Sequence, residues 1–103
     1  MHAIVRRYEG IDTKRTDELK QKVNASLTPR LSKLPGFGGY FLIEAGNGVM
    51  SSVNFYDTSA HAEESTRVVA EWLREEKLES LVPNAPKITG GEVIVKEMNE
   101  LRA

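Results

Sequence analysis

Residues 37–56 decide the fold: Phe37-Gly38-Gly39-Tyr40-Phe41-Leu42-Ile43-Glu44-Ala45-Gly46-Asn47-Gly48-Val49-Met50-Ser51-Ser52-Val53-Asn54-Phe55-Tyr56. Two runs rich in aromatic and β-branched residues, Phe37 to Ala45 and Val49 to Tyr56, flank Gly46-Asn47-Gly48. Asn-Gly between such runs is the strongest short-range hairpin signal, because both residues tolerate positive φ. A two-residue turn at Asn47-Gly48 sets Gly46 against Val49, then Glu44 against Ser51, Leu42 against Val53 and Tyr40 against Phe55. Directly paired residues share a face. Tyr40, Leu42, Val53 and Phe55 then form an apolar face for helices to cover. Phe41, Ile43, Ala45, Met50, Ser52, Asn54 and Tyr56 form a mixed one.

Working outward, residues 2–8 read as a strand, broken by Gly10, with Asp12 or Thr13 able to cap a helix. Leu19, Val23, Leu27 and Leu31 recur every four residues as an apolar helical stripe. Pro29 interrupts that helix, and Leu34-Pro35-Gly36 stops it. After the hairpin, Asp57-Thr58-Ser59 offers caps for a second helix to about Lys77, burying Ala62, Val69 and Leu73 with Trp72 beside them. Residues 78–86, with Pro83 and Pro86, are a loop with room for one helical turn. Lys87 to Met98 reads as a last strand centred on Val93-Ile94-Val95. Two strand–helix–strand halves in series, with no repeat or linker, make one domain over residues 1–103. Its expected class is α+β, ferredoxin-like βαββαβ, with four antiparallel strands and two helices on one face.

Bulk composition narrows the function. The chain has 103 residues, 40% hydrophobic and 28% charged, with a formal charge of −1. That is an ordinary globular balance, without the basic field a nucleic acid requires. There is no cysteine, which excludes thiol catalysis and Cys-based metal sites and fits a reducing, cytoplasmic setting. No run of about 20 apolar residues is present to span a membrane, and the N-terminus lacks a signal-peptide core. His61 with Glu64 one turn on is only half a metal site, so no metal is expected. Gly36-Phe37-Gly38-Gly39 lacks the third glycine and the following helix of a dinucleotide fingerprint. Ser51 and Ser52 have no visible His–Asp partners.

In strand one, the smaller Ala3 and Val5 suit the helix side, leaving His2, Ile4, Arg6 and Tyr8 on the mixed face. Two helices cover only one side of a sheet, and an exposed face holding Ile4, Phe41 and Ile43 calls for a cover. A homodimer packed sheet against sheet is the expected arrangement. The space between the sheets would be lined by Arg6, Tyr8, Phe41, Ile43, Ser52, Asn54 and Tyr56. These residues are either a pocket for a small aromatic ligand or a polar dimer interface with internal hydrogen bonds.

The chain resembles the dimeric α+β-barrel superfamily, and within it the antibiotic biosynthesis monooxygenase-like members. The residues that carry the resemblance are Val5-Arg6-Arg7-Tyr8, Leu31 to Leu34, Pro35-Gly36-Phe37-Gly38-Gly39-Tyr40, the Asn47-Gly48 hairpin and the cap at Asp57-Thr58-Ser59. It implies either a cofactor-independent oxygenase of flat aromatic or polyketide-like molecules or a non-catalytic dimer that binds a small ligand or answers stress, and it assigns no catalytic residue. The haem-degrading branch uses an Asn on strand one, a Trp on strand three and a His on the second helix. Only His61 fits that set here.

Overall fold

The computed structural model describes residues 1–99. Four strands, β1 (His2–Tyr8), β2 (Phe37–Gly46), β3 (Val49–Tyr56) and β4 (Lys87–Glu92), form one antiparallel sheet in the order β2-β3-β1-β4. The helical segments α1 (Thr16–Lys22), α2 (Thr28–Ser32) and α3 (Ser59–Glu75) share one core with a single sheet face. Leu19, Val23, Leu27, Leu31, Val68, Val69 and Trp72 pack there with Tyr8 and Met50. This is the ferredoxin-like α+β arrangement that the sequence predicts.

The hairpin turn forms as expected, with Asn47 at φ 54° and Gly48 at φ 76°, and Gly46 pairs with Val49. The pairing beyond it does not. The register shifts between Glu44 and Gly46, so Glu44 faces Met50, Leu42 faces Ser52, Phe41 faces Val53 and Tyr40 faces Asn54. Ala45 is the extra residue of a β-bulge, and one extra residue moves the rest of β2 to the opposite face. The face assignment drawn from the sequence is therefore inverted for β3. It is inverted likewise for β1, whose Ile4 and Arg6 pair with Asn54 and Ser52 and whose Ala3 and Val5 do not face the helices. Met50, Ser52, Asn54 and Tyr56 are buried under the helices, as are Ile4, Arg6 and Tyr8 of β1. Phe41, Ile43, Val53 and Phe55, with Ala3 and Val5, lie on the outer face.

The apolar stripe of the first helix explains its shape. The step from Leu19 to Leu31, about 12 residue rises, makes about 3.3 turns of ideal α-helix, a drift of about 120°. All four stripe residues are nevertheless buried. A π-helical turn over Val23–Leu27, closed by the Thr28 N–H to the Val23 carbonyl, absorbs the mismatch. Pro29 sits in the first turn of α2, where its missing N–H costs little. The helical run continues through the π-turn into α2, and the Thr28 hydroxyl donates back to the Asn24 carbonyl. In α3 Thr58 is the cap, accepting from the His61 N–H at 3.2 Å.

The final strand is shorter than expected. β4 ends at Glu92, and Val93-Ile94-Val95 continue beyond it, tied to the sheet by one backbone bond from Val93 N–H to the Met1 carbonyl at 2.8 Å. Ile94 and Val95 are almost wholly exposed. The loop before β4 contributes Leu78 and Leu81 to the core, both fully buried.

Candidate functional site

The inversion of the sheet gathers the polar residues of β1 and β3 in the interior. Arg6 pairs with Ser52 across the sheet, Ile4 with Asn54, and Asn54 in turn with Tyr40. The Arg6 side chain crosses to α3, where Nη2 donates to Ser65 Oγ at 2.9 Å and to Thr66 Oγ1 at 2.8 Å. Arg6 is 1% exposed, and no carboxylate among the described residues pairs with it. Its Nε and Nη1 and both amide atoms of Asn54 are buried with no hydrogen-bond partner among the described residues, while the Tyr56 hydroxyl lies beside Ser65. A few such groups are normal in a whole protein; here four lie together on two side chains of neighbouring strands.

The electrostatics agree. Burial pushes the Arg6 guanidinium below its usual range, and its proximity to Tyr8, Tyr56 and Tyr40 counteracts this. The chain has three tyrosines, and all three surround this one cation. Burial raises each phenol above its ordinary value, so all three remain hydrogen-bond donors at neutral pH. Tyr56 is held by an edge-to-face contact with Phe37, centroids 5.9 Å apart.

Beside this cluster lies a small apolar cavity of about 30 Å³, lined by Tyr8, Tyr40, Leu42 and Ser52 of the sheet and by Val23 and Trp72 of the helices. An open groove of about 510 Å³ between the β2 edge and residues 20–28 shares Val23, Tyr40, Leu42 and Met50 with it. The π-turn forms one wall of both, consistent with the frequent use of π-turns at binding sites. Trp72 Nε1 donates to Ser26 Oγ at 2.7 Å, tying that turn to α3.

Of the seven residues singled out from the sequence, the structure brings together Arg6, Tyr8, Ser52, Asn54 and Tyr56. Their place is between sheet and helices within one chain, which corrects the expected position between two sheets. Phe41 and Ile43 lie on the outer face, each about half exposed, apart from the Arg6 cluster; Phe41 does border the groove. Sequence reasoning missed Tyr40, Ser65 and Thr66. Ser65 carried a signal, being a polar residue within the inward stripe Ala62, Ser65, Val69, Trp72 of α3.

His61 belongs to a separate feature. Its Nδ1 lies 2.5 Å from Asp57 Oδ1, and that bond holds the Asp57 carboxyl below the usual range. Glu64 pairs with Arg67 instead, and no cluster of metal-binding side chains occurs among the described residues. No described helix is long and apolar enough to cross a membrane.

Neither a protein-family model nor a curated protein sequence matches the chain. Solved structures do. A protein of unknown function from Nitrosomonas europaea superposes with a TM-score of 0.75 at 16% identity, over 96% of this chain and 94% of that one. A monooxygenase of Streptomyces coelicolor, in complex with the ligand nanaomycin D, gives 0.71 at 12% identity over 96% and 92%. A dimeric ferredoxin-like protein from an uncultured marine organism gives 0.65 at 17% identity over 95% and 97%. The chain is thus similar in fold, over nearly its whole length, to these three structures, and its fold is ferredoxin-like α+β.

Proposed function

We propose that this protein is a small-ligand-pocket protein that holds a flat, weakly acidic aromatic molecule between its sheet and helices. The observation that carries the proposal is Arg6, a buried cation with free donors and no carboxylate partner among the described residues. An ionised phenol or enol placed there gains a charge-assisted hydrogen bond, and its pKa falls. Asn54 and Tyr56 add donors for the same oxygen. The cavity has room for about one water-sized group and is not lined by Arg6, Asn54 or Tyr56, so a ring system binds as proposed only if the wall shared with the groove opens around it.

The activity this chemistry supports is cofactor-independent oxygenation. Ionisation of an anthrone-type substrate yields an electron-rich carbanion that reduces dioxygen directly. One oxygen atom becomes the new carbonyl, and the other leaves as water with the two hydrogens of the oxidised CH2. The protein's share is to stabilise the oxyanion, a role for which preorganised donors in a dry site are effective. Similarity in fold to a monooxygenase structure supports this only by analogy.

Oxygen uptake with an anthrone or a dihydroquinone tests the proposal in wild type, Arg6→Leu and Asn54→Ala. Turnover above the spontaneous rate, falling at least about tenfold in the folded variants, is the expected result. Binding without turnover would leave a non-catalytic ligand carrier. Neither binding nor turnover across a panel of such compounds would end the pocket reading.

The same proposal includes a homodimer joined through the outer sheet face. That face presents Phe41, Ile43, Val53 and Phe55, and the segment after β4 adds exposed Ile94, Val95 and Met98. Contiguous apolar surface of this kind marks an interaction site in a protein of this size.

A further inference from the structure

The hydrogen bonds of Arg6 do more than anchor it. A guanidinium has two edges able to grip a two-oxygen anion through parallel bonds. One is formed by Nε with Nη2 and the other by Nη1 with Nη2, so Nη2 belongs to both. In this protein Nη2 is engaged by the Ser65 and Thr66 hydroxyls, which accounts for both of its hydrogens. Ser65 is also fixed in polarity: its hydroxyl donates to the Ala62 carbonyl at 2.5 Å, so only its oxygen lone pairs are turned to Arg6. What remains are Nε and Nη1, which belong to different edges and have no partner among the described residues.

We infer that Ser65 and Thr66 are positioning residues that set the ligand specificity of Arg6. By occupying the nitrogen common to both edges, they leave the cation suited to a single-oxygen anion, a phenolate or enolate, and unsuited to carboxylates and phosphates. A carboxylate could bind in the two-bond mode only by displacing one of the hydroxyls. The buried Asn54 amide, with a free Nδ2 donor on the neighbouring strand, complements a single oxygen in the same way. This inference rests on the pocket proposed above and names the class of anion that the pocket takes.

The test uses two probes of the same ring, 4-nitrophenolate and 4-nitrobenzoate, titrated calorimetrically in mildly alkaline buffer where both are anions. Wild type is expected to prefer the phenolate by about tenfold or more. Thr66→Val and Ser65→Ala are each expected to narrow that preference about tenfold by gaining affinity for the benzoate, whereas Thr66→Ser retains it. Should Ser65→Ala fail to fold, the Thr66 pair carries the test alone, because Thr66 is only partly buried. Equal weakening of both probes in Thr66→Val would make the hydroxyls mere supports and overturn the inference. So would a wild type that binds the benzoate as well as the phenolate, although the pocket itself would stand. A wild type that binds neither probe overturns the pocket and this inference together.

Discussion

A buried guanidinium without a counter-ion costs a protein stability, because hydroxyls and phenols replace its hydration only in part. Replacing Arg6 by an apolar side chain of similar length relieves that cost. Arg6→Met is therefore expected to raise stability by about 1 kcal/mol or more while abolishing aromatic-anion binding. Urea unfolding of the two proteins checks the first half; a variant less stable by a similar margin would make Arg6 a structural residue. The tyrosines around it give a pH signature. Each has its folded pKa raised by burial, so their contribution is fully present below the unfolded value of about 10. It is lost as pH rises further, since the unfolded chain ionises first. Titration of tyrosinate absorbance should show no phenol ionising at its ordinary value in the native protein. All three should instead ionise at higher pH, together with unfolding. A tyrosine titrating near 10 with the fold intact would contradict the burial described here. At this scale Arg6, Tyr8, Ser52, Asn54 and Tyr56 were legible as a group from alternation along two strands. Their hydroxyl partners on α3 were not, because helix rotation relative to a sheet depends on packing, not on local pattern.

Among the elements, the hairpin shows how far local sequence reaches. Asn47-Gly48 specified its turn correctly, since positive φ at two successive residues leaves few alternatives. The bulge at Ala45 escaped because it has no such signature beyond the glycine that follows, and that single residue decided which face became interior. Two substitutions separate turn from surroundings. Gly48→Ala meets both the positive φ and the Ile11 carbonyl oxygen, 2.9 Å from where its Cβ would stand. It should cost more than about 1 kcal/mol. Gly46→Ala has a φ of 86° but open space around it, and should cost no more than about 1 kcal/mol. Thermal melts of both decide the matter; equal losses would mean that the contact with Ile11 is not felt. The π-turn was half legible. The four-residue spacing of Leu19, Val23, Leu27 and Leu31 is too wide for a straight α-helix, but the spacing alone does not say where the excess is taken up.

For the whole molecule, the outer sheet face survives the inversion as the apolar surface in need of a partner, although the residues on it changed. The expectation of a homodimer accordingly keeps its motive, while the residues expected to line the space between two sheets lie inside each chain. Light scattering should give about 23 kDa, twice the 11.5 kDa chain. Phe41→Glu, on the outer face, should yield a folded monomer, since an unpaired charge in a buried interface is costly; a variant that stays dimeric would place the contact elsewhere. The placement of Trp72 has a practical consequence of another kind. It is the only tryptophan in the chain, and it lines the same cavity as Tyr8 and Tyr40. Light absorbed by either phenol is thus passed to a single buried indole beside the proposed site. A nitro-aromatic guest bound as proposed would therefore register as quenched emission, with no label attached.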